Sequence, residues 1–148
     1  MEALFPHLTG MQIGLIRSDG RVARMAVAAE AEKASCPRCG SLSARVHSRY
    51  ERRLTDTAVG GQELVLQLRV RRFFCENICC PALTFAEQFP ALTARYARRT
   101  AVLAQVLTEI ALTLGGRAGP RLSCRLHVEV SRSTLLRLIR ALPVPEPP

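Results

Sequence analysis

The sequence predicts an α+β chain in which strands come first and helices follow. Two periodicities and one residue type point to it. From Glu63 to Phe74 the side chains alternate, Leu64, Leu66, Leu68 and Val70 against Val65, Gln67, Arg69 and Arg71, which is the period-two pattern of a strand with one buried face. After Pro90 the period changes. Val102, Leu103, Val106, Leu107, Ile110 and Leu114 recur at three and four, the stripe of an amphipathic helix. The six cysteines are grouped, Cys36 with Cys39, then Cys75 with Cys79 and Cys80, and Cys124 apart. Pairs at that spacing read as metal ligands. The expected architecture is an N-terminal β-hairpin and a zinc-ribbon sheet followed by a three-helix helix-turn-helix unit.

Size and composition say why a metal is expected. At 148 residues, with 48% apolar residues, 5% aromatic residues and no Trp, the chain has enough for one domain or two small ones but not for a large core. Small domains with thin cores need a staple. No run of eighteen apolar residues is present, so no membrane span is expected. The N-terminal Met1 to Gly20 lacks a basic region followed by an apolar one, so no signal peptide is expected. A reducing, cytoplasmic setting follows, where cysteines read as ligands or free thiols before disulfides.

The boundaries read from composition are 1–35 for a β-hairpin packing on the ribbon, 36–93 for a four-cysteine zinc ribbon, 94–142 for the helical unit and 143–148 for a Pro-rich tail. In the first part Met11 to Arg17 and Arg21 to Ala28 are apolar-rich runs around Ser18-Asp19-Gly20. Asp-Gly favours a tight turn because both residues tolerate positive φ. In the second part Arg45 to Leu54 reads as a polar hairpin arm, Gly60-Gly61 as a turn and Glu63 to Phe74 as a strand that runs into Cys75. In the third, Gly115-Gly116 reads as a helix stop. A second helix is expected from Pro120, with Leu122 and Leu126 on one face. A third is expected after the N-cap Ser131, with Leu135, Leu138, Ile139 and Leu142 on one face.

Zinc is held in a tetrahedron of four thiolates or imidazoles. Cys36-Pro-Arg-Cys39-Gly40 has knuckle spacing, and the second half is Cys75 with Cys79 or Cys80. Adjacent cysteines seldom bind one ion together, so the fourth ligand stays open between those two on spacing alone. His47 reads as an exposed strand side chain and Cys124 as a free thiol. Four thiolates close the coordination shell, so the ion is expected to be structural.

The charge is +9 in total and uneven. Met1 to Ser35 is neutral, Cys36 to Thr93 is +3 and Ala94 to Leu142 is +7. Every basic residue but Lys33 is Arg, whose planar fork suits phosphates and guanine edges. A polyanionic partner, double-stranded DNA, is therefore expected. With Leu135 at zero on a helical wheel, Ser133 falls near 160°, Arg137 near 200° and Arg140 near 140°, at about 100° per residue. Arg132, Ser133 and Arg137 are the candidates for base edges. Arg98, Arg99, Arg117, Arg121, Arg125 and Arg140 suit phosphates.

Several runs resemble a known family. Cys36-Pro-Arg-Cys-Gly40, Arg45-Val-His-Ser-Arg-Tyr50, Arg71-Arg-Phe-Phe-Cys75 and Phe85-Ala-Glu-Gln-Phe-Pro90 are similar to the zinc-finger region of ISL3-family insertion-sequence transposases. Ala97-Arg-Arg-Thr100, Leu114-Gly-Gly-Arg-Ala-Gly119 and Val130-Ser-Arg-Ser-Thr-Leu-Leu-Arg137 resemble the helix-turn-helix that follows in that family, and Leu4-Phe-Pro-His7 also fits. The resemblance implies Cys36, Cys39, Cys75 and Cys80 as the ligands of one zinc ion. It implies binding to the terminal repeats of a mobile element, with the same chain or a full-length transposase as a further partner. Three departures stand out. Cys79 occupies a place where a non-ligand is usual, His127 one where Gly is common in the turn, and Pro120 one where a helix former is usual. Family transposases also carry a catalytic domain with a carboxylate triad that binds two metals. After Leu142 only Glu146 remains, so no enzyme is expected here. The alternatives are a stand-alone regulator or inhibitor of transposition and a zinc-ribbon module that binds an acidic protein.

Overall fold

The computed structural model describes residues 4–143. The expected Pro-rich tail lies, from residue 144 on, outside the described residues. Seven strands and two α-helices follow a single 3-10 turn at Pro6–Leu8. The strands are β1 (Met11–Ser18), β2 (Val22–Ala29), β3 (Ala34–Ser35), β4 (Leu42–Ser43), β5 (Val46–Val59), β6 (Gln62–Phe74) and β7 (Thr84–Ala86). The helices are α1 (Ala101–Arg125) and α2 (Arg132–Arg140).

The main sheet is mixed, in the order β1-β2-β6-β5, with β7 also on β6. β1 and β2 pair antiparallel around the Ser18-Asp19-Gly20 turn. There Asp19 Oδ1 accepts from the backbone N–H groups of Arg21 and Val22 at 3.1 and 2.9 Å, and Gly20 takes φ +89°. The Arg24 guanidinium, with those two backbone N–H groups, holds the Asp19 carboxyl down at about 2. β2 then runs parallel to β6, from Val22 opposite Glu63 to Ala28 opposite Arg69. β5 and β6 form a long antiparallel hairpin closed by Gly60-Gly61, both at positive φ, as a right-twisted two-residue turn requires.

Alternation along β6 buries Leu64, Leu66, Leu68 and Val70 on one face. They meet Met25 and Val27 of β2, Leu54 of β5, and Leu8 and Leu92 from the flanking segments. The last turns of the hairpin, next to Gly60, serve a second purpose. Asp56 is fully buried. Its Oδ1 accepts from Thr100 Oγ1 at 2.6 Å and from the Thr57 N–H at 2.8 Å, and its Oδ2 pairs with His7 Nε2 at 2.7 Å. Thr100 is also the N-cap of α1, its hydroxyl accepting from Leu103 N at 3.2 Å. Backbone bonds from Thr55 N to Arg98 O and from Thr100 N to Thr55 O complete the joint.

The expected three-helix helix-turn-helix unit is corrected by the structure. Strands hold more of the described residues than helices do, and the C-terminal part contains two helices, not three. Gly115 does leave helical geometry, at φ 65°, ψ −164°, and divides α1 there into two helical stretches joined across a kink. Pro120 lies inside α1 and starts nothing. The stop is at His127, in the left-handed region at φ 59°. Val128 N–H bonds Ser123 O at 2.9 Å and His127 N–H bonds Cys124 O at 3.0 Å, the hydrogen-bond pattern of a Schellman cap.

The buried face of α1 also differs from expectation. Leu103, Leu107 and Ala111 are buried, but farther along the buried residues are Gly119 and Ser123, while Leu122 and Leu126 are exposed. The reason is close approach. A Cβ at Gly119 would lie 2.7 Å from Leu135 Cδ1, and one at Gly116 would lie 2.8 Å from Arg132 Nε. Only small residues let α2 sit this near. Leu135 is fully buried there with Val128, and Leu138 and Ile139 pack alongside.

Two substitutions test this packing. Asp56→Ala strands three donors in a dry site, and is expected to lower stability by about 2–4 kcal/mol. Gly119→Val is expected to cost about 1–3 kcal/mol by overpacking against Leu135. Denaturant unfolding of each zinc-loaded variant beside the parent checks both, and unchanged midpoints would contradict the assignments.

Candidate metal centre and nucleic-acid interface

The long hairpin carries the cysteine cluster at the end away from Gly60-Gly61. Cys36 and Cys39 sit in the loop between the two short paired strands β3 and β4. Gly40 N–H bonds Cys36 O at 2.8 Å, Cys36 N–H bonds Ser41 O at 2.9 Å, and Gly40 has φ 74°. The second pair follows β6 directly. Cys75 N–H bonds Leu83 O at 3.0 Å, and Cys80 N–H bonds Asn77 O at 3.0 Å. Phe73 and Phe85 stack beneath, ring centres 5.7 Å apart, and form a small core with Cys36 and Cys80.

The ligand atoms of Cys36, Cys39, Cys75 and Cys80 all lie within 4.8 Å of one another. Cys39 and Cys75 sulfurs are 3.6 Å apart. A tetrahedral zinc with bonds of about 2.3 Å sets sulfurs about 3.8 Å apart, so the donor set fits this ion. Cys79 is exposed and its sulfur is outside the cluster, while its N–H is held by Asn77 Oδ1 at 3.0 Å. His47 is also outside it, its ring set edge-on against Phe74 at 4.9 Å. Cys124 is exposed on α1.

Four thiols this close cannot all lose their protons without a cation. The Ser41 backbone N–H, helped by the neighbouring sulfurs, brings Cys39 down to about 7. The Asn77 N–H acts in the same sense on Cys75, but desolvation and the other three sulfurs outweigh it and push that thiol up to about 12. Cys80 is also raised, against its own backbone bond to Ala82, by desolvation and its neighbours. A divalent ion removes this conflict by replacing the protons.

Residues 32–80 match the zinc-finger of transposase IS204/IS1001/IS1096/IS1165. This segment is an ISL3-family zinc ribbon. No curated protein and no solved structure matches the chain. The ISL3 ribbon as matched ends at Cys80, so β1, β2, β7 and both α-helices lie outside the matched span. Among the described residues its four cysteines are the one cluster of three or more metal-ligating side chains. The group can hold one zinc, whose contribution is to fix the ribbon's loops in place.

The arginines fall into separate groups. On α2, Ser133, Arg137 and Arg140 are exposed on the side away from Leu135. Arg132 is exposed too, but its stem lies over Gly116. Arg99 is half-buried beside Arg137; desolvation, then the Arg137 charge, lowers its pKa. Arg98 precedes it in the segment that bonds Thr55. Arg117, Arg121 and Arg125 form an exposed row on α1. Arg117 and Arg121 lie about 160° around the helix from Gly119, at about 100° per residue. They therefore point away from α2. The structure brings Arg99 to Arg137, and turns Arg117 and Arg121 away from α2.

α1 passes for a membrane span by length and apolarity alone. Its Gly115 kink, its arginine row and the packing of Leu103, Leu107 and Ala111 assign it to the core of the helical unit.

Sequence reasoning missed Asp56 with His7 and Thr100. A Thr just before an apolar helical stripe is a cap signal, and it was available. It also missed Arg38 of the knuckle loop and the strand residues Arg52, Arg53 and Arg72, for which the +3 of this segment was the only sign.

Zinc chemistry gives two expected outcomes. Zinc content should be one per chain in the parent and in Cys79→Ser, and lost in Cys80→Ser; elemental analysis reads this directly, and retention in Cys80→Ser would exclude that sulfur. Binding displaces protons from Cys75 and Cys80, which hold them above the ordinary thiol range, so zinc affinity should rise with pH and weaken as pH falls from 8 to 6. Competition with a chromophoric chelator measures the slope, and a flat profile would rule out thiol protons as the competitor.

Proposed function

We propose that this chain is a DNA-binding module that recognises the ends of a mobile element, with α2 presented to the major groove of a duplex. One observation carries the reading. Among the described residues, none of the arginines from Arg95 to Arg140 is ion-paired; the four ion pairs are His7–Asp56, Arg24–Asp19, Arg53–Glu51 and Arg71–Glu87. A segment carrying nine arginines and two acids thus keeps its charge for an outside anion. Holding Arg99 beside Arg137 is unfavourable until such an anion arrives.

The match of residues 32–80 to a transposase zinc finger supports DNA as that anion. In this reading Arg137 and Ser133 reach base edges, Arg98, Arg99 and Arg140 take phosphates, and the zinc ribbon braces the sheet on which the helices stand. The row Arg117, Arg121 and Arg125 faces elsewhere and holds a flanking stretch of backbone, or none. In this reading the module binds DNA, and the ion held by its four thiolates is structural. Its place of action is the cytoplasm, with the bacterial chromosome.

A second reading makes the module a regulator that contacts an intact transposase. It is favoured by the apolar side chains left exposed on α1, Leu112, Leu122 and Leu126.

Gel-shift titration of the zinc-loaded protein on candidate terminal repeats tests the main reading. Binding should weaken with salt at a log–log slope of about −2.7 for three phosphate contacts. Arg137→Ala should cost about 1–3 kcal/mol on the preferred site and little on other duplexes. Absence of duplex binding at low salt would sink the proposal, and equal loss on every sequence would reassign Arg137 to phosphate.

A further inference from the structure

An open groove of about 1160 Å³ runs from the zinc knuckle, across β5, β6 and β7, to the segment before α1. Six arginines line it: Arg38, Arg52, Arg53, Arg72, Arg95 and Arg98. The one acid on its wall, Glu87, is taken by Arg71, with Arg71 Nε on Glu87 Oε2 at 3.0 Å and a second, shorter contact between Arg71 Nη2 and Glu87 Oε1. Arg53 meets Glu51 only at 3.9 Å, in solvent, where such a pair contributes little. The groove is therefore strongly electropositive, and it lies apart from the outer face of α2.

Two tyrosines stand in it. Tyr50 is exposed on β5, and Tyr96 is 80% exposed. Tyr96 also has φ +63°, a conformation that costs a bulky side chain free energy. Nothing buried repays that cost, since the ring points to solvent and one of its faces is covered by the Arg95 guanidinium at 4.8 Å. The segment is nevertheless held firmly. Arg52 Nη2 donates to Ala97 O at 2.7 Å, and Ala97 N–H bonds Ala94 O. A fixed, strained backbone that displays an aromatic ring among arginines has the chemistry of a stacking platform on an electrostatic track.

We propose that this groove binds a single strand of DNA, with phosphates on Arg38, Arg72 and Arg95 and a base stacked on Tyr96. Arg52 acts as a positioning residue that fixes the Tyr96 segment. The site is distinct from α2 and does not depend on the duplex reading above.

The test uses the zinc-loaded chain, fluorescence anisotropy and two probes, a 20-nucleotide oligothymidylate and a duplex carrying a terminal repeat. The parent should bind oligothymidylate in low salt. Tyr96→Gly, which keeps the left-handed backbone and removes the ring, should weaken that binding about tenfold, while Tyr96→Phe should retain it. Arg72→Ala combined with Arg95→Ala should lower the salt slope by about 1.4, for two phosphates on a single strand. Arg137→Ala should leave oligothymidylate binding unchanged, which separates this site from α2. Zinc content and thermal unfolding confirm that each variant is folded. No binding of oligothymidylate, or equal binding by parent and Tyr96→Gly, would overturn the proposal. Parallel losses on both probes in the groove variants would overturn the single-strand assignment and make the groove a duplex contact.

Discussion

A carboxylate with no access to water has to find its partners inside the protein, and Asp56 finds three. His7, Thr100 and the Thr57 backbone N–H converge on it. Burying such a group without them would cost several kcal/mol, so the contacts are obligatory wherever the carboxylate is placed. Each partner belongs to a different segment: the N-terminal turn, the end of β5 and the cap of α1. One side chain thereby fixes how the start of the chain and the helical unit join the sheet. Because Thr100 caps α1 with the same hydroxyl that donates to Asp56, the helix cannot start elsewhere without disturbing the joint.

The β5–β6 hairpin connects this joint to the zinc ribbon. Its register brings Asp56 opposite Leu64 near one end and Val46 opposite Phe73 near the other. The hairpin is therefore a beam, with a polar lock at one end and a thiolate cluster at the other. The two ends are stabilised by different physics. The lock is made of hydrogen bonds in a dry site. The cluster depends on a cation, since Cys75 and Cys80 hold their protons when no ion replaces them. Arg71 adds a third tie, reaching Glu87 beside β7 and the Ala31 carbonyl at 2.6 Å, so the connector before the knuckle is attached to the beam as well.

The arginines divide by what they touch. Arg24, Arg52 and Arg71 are absorbed into the structure, each with a carboxylate or carbonyl partner. Most of the others line the sheet groove, the approach to α1, and the outward faces of α1 and α2. Their separation follows from helix packing. Gly116 and Gly119 let α2 come so close to α1 that the two polar faces point in opposite directions. A single ligand cannot engage both faces equally, and this gives the basic surface several distinct regions.

Much of this was legible in the residues. Alternation in Glu63 to Phe74 determined a strand and its buried face, the Asp19-Gly20 and Gly60-Gly61 pairs determined turns, and cysteine grouping determined a metal site in the middle of the chain. These are local properties, set by side-chain period and by φ preference. The helical unit was misread because its decisive features are not local. Gly115 looks like a stop and does break helical geometry, yet the helix resumes beyond it; α1 finally closes at His127, whose left-handed backbone lets the Val128 N–H reach Ser123 O. Small residues at Gly119 and Ser123 look unpatterned until α2 is seen against them. Likewise Cys79 and Cys80 are equivalent on spacing, and only the fold around Asn77 turns one sulfur inward and leaves the other in solvent. Sequence alone determined that the chain would be a basic, cysteine-stapled strand-and-helix protein. Tertiary structure decided which cysteines and which arginines share a place, because proximity between residues far apart in the chain is set by packing and by the burial of Asp56.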